Sequence, residues 1–168
     1  MSDRAAEGVL RVKLADGTMV LVKITVVKVE EVGFSPYGGV MFNVLSTGQI
    51  TYEWPDELKE KVKDKPFYYA WQALPRDGWE LVDIEWQEPS VIETTVNSSR
   101  GTFTVRYTSW AQMAARNLNY RMPPGGPLYA VQVASETTWR PAGVTIGSRK
   151  GSMKSASPDG SANTRRVN

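Results

Sequence analysis

The chain has no cysteine and no histidine. Thiol nucleophiles, disulfides, Ser-His-Asp triads, zinc centres with the usual ligands and the histidine pH switch are therefore excluded. A catalytic role would fall to Asp, Glu, Lys, Tyr or Ser, and no spacing among them is diagnostic, so an enzyme is not expected. Long apolar runs are missing too: nothing approaches the roughly 18 residues of a membrane span. The first residues, MSDRAAEGVLRVKLADG, carry charges where a signal peptide needs an apolar core. The expectation is a soluble cytoplasmic protein, or a virion component if it is a viral structural protein, with no membrane partner. Phosphate-binding signatures such as G-x-x-x-x-G-K-[ST] and G-x-G-x-x-G are absent, and no cofactor or metal is expected.

Acidic residues are missing from one long region. Between Thr94 and Ser135, 42 residues hold Arg100, Arg106, Arg116 and Arg121 and no Asp or Glu. The net charge of +2 over 168 residues conceals this asymmetry. Residues 1–93 carry 10 Lys and Arg against 16 Asp and Glu, a balance of −6; residues 94–168 carry 10 against 2, a balance of +8. The cations change type as well, from 7 Lys and 3 Arg to 8 Arg and 2 Lys. Arginine's planar fork suits phosphates, carboxylates and aromatic faces.

A chain of 168 residues buries an adequate core as one domain. Residues 1–146 read as that domain. Residues 147–168, GSRKGSMKSASPDGSANTRRVN, read as a basic Gly/Ser-rich tail with too few apolar residues to pack. VLRVKL and MVLVKITVVKV flank an Asp-Gly turn, a hairpin signal. FSPYGG is a loop presenting Phe34 and Tyr37, and GVMFNVLS with ITYEW around TGQ resembles a second hairpin. PDELKEKVKDK, with acids first and lysines after, predicts a solvated amphipathic helix, and FYYAWQAL a second, more buried one stopped by Pro75. WELVDIEW alternates as a single strand, VIETTV and TFTVRYT pair around NSSRG, and Ser109 with Gln112 forms a capping box opening a helix over WAQMAARNL. PLYAVQV is a last strand. The fold class expected is α+β: a mainly antiparallel sheet of about 6–8 strands with two or three short helices.

Gly78, Trp79, Glu80, Leu81 and Val82, preceded by FYYAWQAL, resemble the Gly-Trp-Glu-Leu-Val mark of a family of small uncharacterised domains. The resemblance spans some 15–20 residues. It implies a helix leading through a glycine turn into a strand and carries no chemistry.

Glu80, Asp83, Glu85 and Glu88 crowd one strand and its exit, where acids alternating with apolar residues suit a half-exposed strand better than paired-carboxylate chemistry. Of six tryptophans, Trp71 and Trp86 are placed in the core by period, Trp54 and Trp79 are ambiguous, and Trp139 is the one most readily exposed. Period also turns Tyr107 and Trp110 inward, and leaves Arg106, Gln112, Arg116, Asn119, Tyr120 and Arg121 outside, with Arg100 at a hairpin tip. The resulting candidate surface comprises Arg100, Arg106, Arg116, Tyr120, Arg121, Trp139 and Arg140, continued by Arg149, Lys150, Lys154, Arg165 and Arg166 in the tail. Such a surface, edged by aromatics, suits a nucleic acid, single strands favoured. The alternative is a structural subunit of a large assembly, a virion coat or filament, in which acidic and basic halves of successive copies attract head-to-tail.

Overall fold

The computed structural model describes residues 6–34 and 39–143. Tyr37, in the expected Phe34–Gly39 loop, and the five tail cations from Arg149 to Arg166 lie outside the described residues. Among those described there are eight strands and one short helix: β1 (Ala6–Leu14), β2 (Met19–Phe34), β3 (Val40–Glu53), α1 (Asp56–Lys61), β4 (Trp79–Val82), β5 (Ile84–Glu88), β6 (Ser90–Ser98), β7 (Gly101–Met122) and β8 (Gly126–Pro141). The expected α+β class is thus corrected to a nearly all-β fold of two antiparallel sheets.

One sheet runs in the order β3-β2-β1-β5. In the other, β8 lines one edge of β7, and β6 followed by β4 lines the opposite edge. The β1–β2 hairpin forms where Asp-Gly marked it: Gly17 takes φ 93°, and the Asp16 carboxylate accepts the Thr18 N–H at 3.0 Å. Strict alternation then faces Leu10, Val12 and Leu14 of β1 and Val20, Val22, Ile24 and Val26 of β2 inward. They meet Val82, Ile92, Ala111, Ala114 and Tyr129 from the other sheet in the main core, each large aliphatic contributing about 1.5–3 kcal/mol by its burial. A smaller cluster joins Val40 and Phe42 of β3 to Val105, with Phe103 and Trp139 against it.

Four expectations are corrected. GVMFNVLS and ITYEW are one continuous strand, β3, because β2 offers it a partner along its whole length. WAQMAARNL is not a helix but the middle of β7, whose two edges are occupied by β8 and by β6 then β4; this pairing overrides the local preference of an Ala-rich stretch. A bulge between Ala111 and Met113 breaks the two-residue period and hides the strand from pattern reading. FYYAWQAL is not a helix either. The segment is tied to β7 by Tyr68 N–H donating to Arg121 O at 2.7 Å and Arg121 N–H donating to Pro66 O at 3.0 Å. Lastly, WELVDIEW divides at Asp83, whose carbonyl accepts the Ala15 N–H. β4 lies in one sheet, β5 in the other, and β6 returns to the first, lacing the two sheets together along one side.

The helix at PDELKEKVKDK survives as α1 but is shorter, with Asp56 and Glu57 in its first turn and Leu58 buried. Gly78, at φ 91°, leads into β4 as the Gly-Trp-Glu-Leu-Val resemblance implied, without the helix before it. No helix among the described residues is long and apolar enough to cross a membrane.

Candidate interaction surfaces

The fold sets three arginines of the acid-free stretch, Arg100, Arg106 and Arg116, beside carboxylates from elsewhere in the chain. Arg106 on β7 meets Glu93 on β6 at 2.9 Å, and Arg140 on β8 approaches the same carboxylate at 3.8 Å. Arg116 binds Glu80 at 2.6 Å and Asp16 at 3.0 Å. Arg100, at the β6–β7 turn, lies near Glu31, whose carboxyl is held below the usual range by hydrogen bonds from Ser99 and by the arginine's charge. Arg121 donates to the Lys65 carbonyl at 2.7 Å and lays its guanidinium 3.9 Å from the centre of the Phe67 ring. The described residues carry 14 Lys and Arg against 16 Asp and Glu, a net charge of −2.

The expected site residues therefore do not form one surface. Arg106, Trp139 and Arg140, with Thr138, line a pocket of about 270 Å³ on β7 and β8. Arg116 is instead part of a largely buried polar network. Tyr120 sits half-buried where β7 bulges between Asn117 and Arg121. Trp139, expected to be the exposed tryptophan, packs edge-on against Phe42 at 5.4 Å. Tyr107 does turn inward against the core, and Trp110 is half-buried on the opposite face from Ser109 and Ala111. Of the crowded carboxylates, Glu85 pairs with Lys13 and Glu88 with Arg11, and no carboxylate cluster among the described residues is suited to a metal.

In the polar network, Asp16 accepts a short hydrogen bond from the Tyr129 hydroxyl, which also lies 2.8 Å from Thr18 Oγ1. Burial opposes ionisation of Asp16. The hydrogen bonds from Tyr129 and Thr18 and the charge of Arg116 outweigh it and hold the carboxyl below the usual range. Burial and the neighbouring Asp16 carboxylate push the Tyr129 hydroxyl well above the usual tyrosine range. Burial alone raises Tyr52, stacked on Tyr129 at 5.5 Å, to about 12. The network pins the β1–β2 turn to the opposite sheet.

Two further features lie outside the arginines. The first is a cleft of about 320 Å³ between the sheets, where β3 and β8 form their open edges. Val22, Ile24, Ile50, Val131 and Val133 supply its apolar walls and Gly48 a gap in them. At the mouth, the Tyr107 hydroxyl lies 3.0 Å from Ser46 Oγ and 3.0 Å from Ser135 Oγ. No charged side chain lines this cleft among the described residues.

The second is the 66–75 loop. Tyr69 and Trp71 stack at 4.7 Å and 3°, Phe67 lies 6.0 Å from Tyr69, and Arg121 covers Phe67, building a staircase of three rings. Its last ring, Trp71, is 80% exposed, the reverse of the core position assigned by helical period; Trp86, likewise expected inside, is half exposed on edge strand β5. The loop is held rigid: the Gln72 side chain accepts the Tyr69 N–H at 2.7 Å, and the Tyr68 hydroxyl donates to Gln72 O. The overlooked signal was spacing. Aromatics at 67, 69 and 71, two apart between Pro66 and Pro75, argue against a helix.

Compared with known proteins, the chain matches no family model, no curated protein and no solved structure.

Proposed function

We propose that the protein is a structural subunit that joins copies of itself head-to-tail, one copy engaging the margin of the next where β3 and β8 lie open. One observation carries this reading. β3 has no charged residue before Glu53, and residues 45–51 are all exposed, Leu45 and Ile50 among them. β8, facing it across the cleft, has none from Gly126 to Ser135. Natural sheets blunt unpaired edges with lysine, proline or a covering element, since bare backbone and apolar side chains invite another chain. Among the described residues, these two edges lack that protection along most of their length. With Arg106, Arg116, Arg121 and Arg140 already engaged by other groups of the chain, the driving force is apolar burial and backbone pairing rather than the charge asymmetry of the sequence. A margin that meets a different surface of the next copy makes a heterologous contact, which propagates as a ring or filament.

Sedimentation velocity over a wide concentration range tests this. Association is expected in the wild type, and Gln49→Lys with Thr51→Lys, both exposed on β3, is expected to abolish it without lowering the melting temperature. A wild type that stays monomeric at high concentration overturns the reading.

Nucleic-acid binding stands as a second reading, favoured by the pocket at which Arg106 and Arg140 share the single carboxylate of Glu93. An anion there would release one carboxylate and meet two arginines. The expected result is oligonucleotide affinity that falls steeply with salt and weakens when Arg106 and Arg140 are changed to Gln. No mobility shift at low salt excludes it.

A further inference from the structure

The head-to-tail reading leaves open what the β3–β8 margin receives, and the molecule carries a feature of matching chemistry elsewhere. We infer that Trp71 of one copy inserts into the β3–β8 cleft of the next. This rests on the self-assembly reading and names the two surfaces that meet.

Both halves of the contact are uncharged. Residues 66–75, PFYYAWQALP, include no ionised side chain, and neither does the cleft lining, so joining them desolvates no charge. A cleft of about 320 Å³ is at the small end of sites that enclose a ligand, sized for one large ring rather than an extended molecule. Its walls are the branched aliphatics that pack against an indole. The serine and threonine oxygens at its rim, Ser46, Thr47 and Ser135, accept hydrogen bonds, which is what a buried indole N–H requires. Gly48 opens the floor on β3, and the nearest side-chain atom to a Cβ added there is Val22 Cγ1 at 3.8 Å, ordinary contact distance.

The donor is organised in advance. Trp71 has one face on Tyr69 and the other in solvent, and Gln72, Arg121 and the Pro66 carbonyl fix the loop behind it, so little rotamer freedom remains to be lost on docking. Leu74 is 60% exposed in the same loop and widens the apolar patch. Large exposed patches of this kind mark protein contacts, and tryptophan is the residue most enriched at their energetic centres. A glycan would need free planar polar side chains beside the ring, and the one amide in the loop, Gln72, is committed to Tyr69. At 80% exposure, Trp71 is not seated in the cleft of its own chain. A projection and a complementary hole on different parts of one molecule form a contact that repeats from copy to copy.

The test uses two full-length variants. Trp71→Ala removes the projection. Gly48→Leu fills the hole, with Val133→Lys as a second block should Gly48→Leu fold poorly. Sedimentation and circular dichroism of each establish association and fold. Each variant alone is expected to associate at least about thirtyfold more weakly than wild type, the scale of an interface hot spot. Mixed, a Trp71→Ala copy still has a hole and a Gly48→Leu copy still has a projection, so the mixture is expected to form one-to-one dimers and nothing larger. Iodide quenching of tryptophan fluorescence is expected to fall as wild type assembles, and to fall less in Trp71→Phe. A wild type that assembles equally well with Trp71→Ala overturns the inference and leaves the self-assembly reading standing. Variants that fail to associate alone and fail to pair when mixed overturn it too, as does Trp71→Ala losing oligonucleotide affinity while self-association is unchanged. A monomeric wild type overturns both.

Discussion

Gly126→Ala is expected to destabilise the protein by at least about 3 kcal/mol, at or beyond the upper end of ordinary overpacking. A Cβ at this position would land on Cδ2, Cε2 and Cε3 of Trp54. The indole has nowhere to retreat. Trp54 is buried, it stacks on Tyr52 at 5.8 Å and 15°, and Tyr52 stacks in turn on Tyr129. Its N–H has no partner among the described residues, so packing alone holds it, and a shift loses that packing without a compensating hydrogen bond. Chemical denaturation of Gly126→Ala, Trp54→Leu and the double variant would measure this. The double variant is expected to be more stable than the sum of the singles requires, because each change removes the other's difficulty. Additive effects would show that the clash does not operate.

Arg116→Met is expected to cost about 3 kcal/mol at neutral pH, the low end for breaking a buried pair, because Glu80 is half exposed and can be rehydrated. The larger part belongs to Asp16, which is 12% exposed and would keep Tyr129 and Thr18 but lose the guanidinium 3.0 Å away. The sign of the pH dependence follows from its lowered carboxyl. A depressed folded-state pKa contributes stability above the unfolded value, about 3.9, and that contribution is lost as the pH falls through the lower folded value. Both proteins begin to lose this contribution as the unfolded Asp16 takes up its proton, but wild type, whose folded carboxyl stays ionised to a lower pH, loses more of it than Arg116→Met, so the gap between them is expected to narrow steadily as the pH falls. Thermal melts at pH 7, 5, 4 and 3 read this directly. A gap that stays constant across that range would mean that Asp16 is not the group responding.

Much of the fold was legible where local chemistry and tertiary demand agree. The Asp16-Gly17 turn, the alternation of β1, the β6–β7 hairpin and the acid-first helix at Asp56 need only nearby residues to form, and each was read from the sequence. The errors fall where partners at long range decide. β3 was divided at Thr47–Gln49 because Thr-Gly-Gln has turn chemistry, yet Gly48 is held extended opposite Ile24. The Trp110–Leu118 segment satisfies a helical period and a capping box, but both edges of β7 are filled. Trp71 was placed inside by the same period, and its loop is fixed instead by hydrogen bonds to Arg121, 50 positions away in the chain.

Composition and spacing by themselves determined that this chain offers no thiol and no imidazole, and where its first hairpin turns. The acids missing between Thr94 and Ser135 are a fact of the sequence, but which groups the arginines of that stretch meet was decided only in three dimensions. Antiparallel pairing brings Glu93 of β6 and Glu80 of β4 against β7, and the β1–β2 turn brings Asp16 from the other sheet, so Arg106 and Arg140 face Glu93 while Arg116 faces Glu80 and Asp16. Tertiary structure likewise decided which edges remain bare and which ring stands in solvent, because exposure depends on what the rest of the chain leaves uncovered, and no local pattern records that.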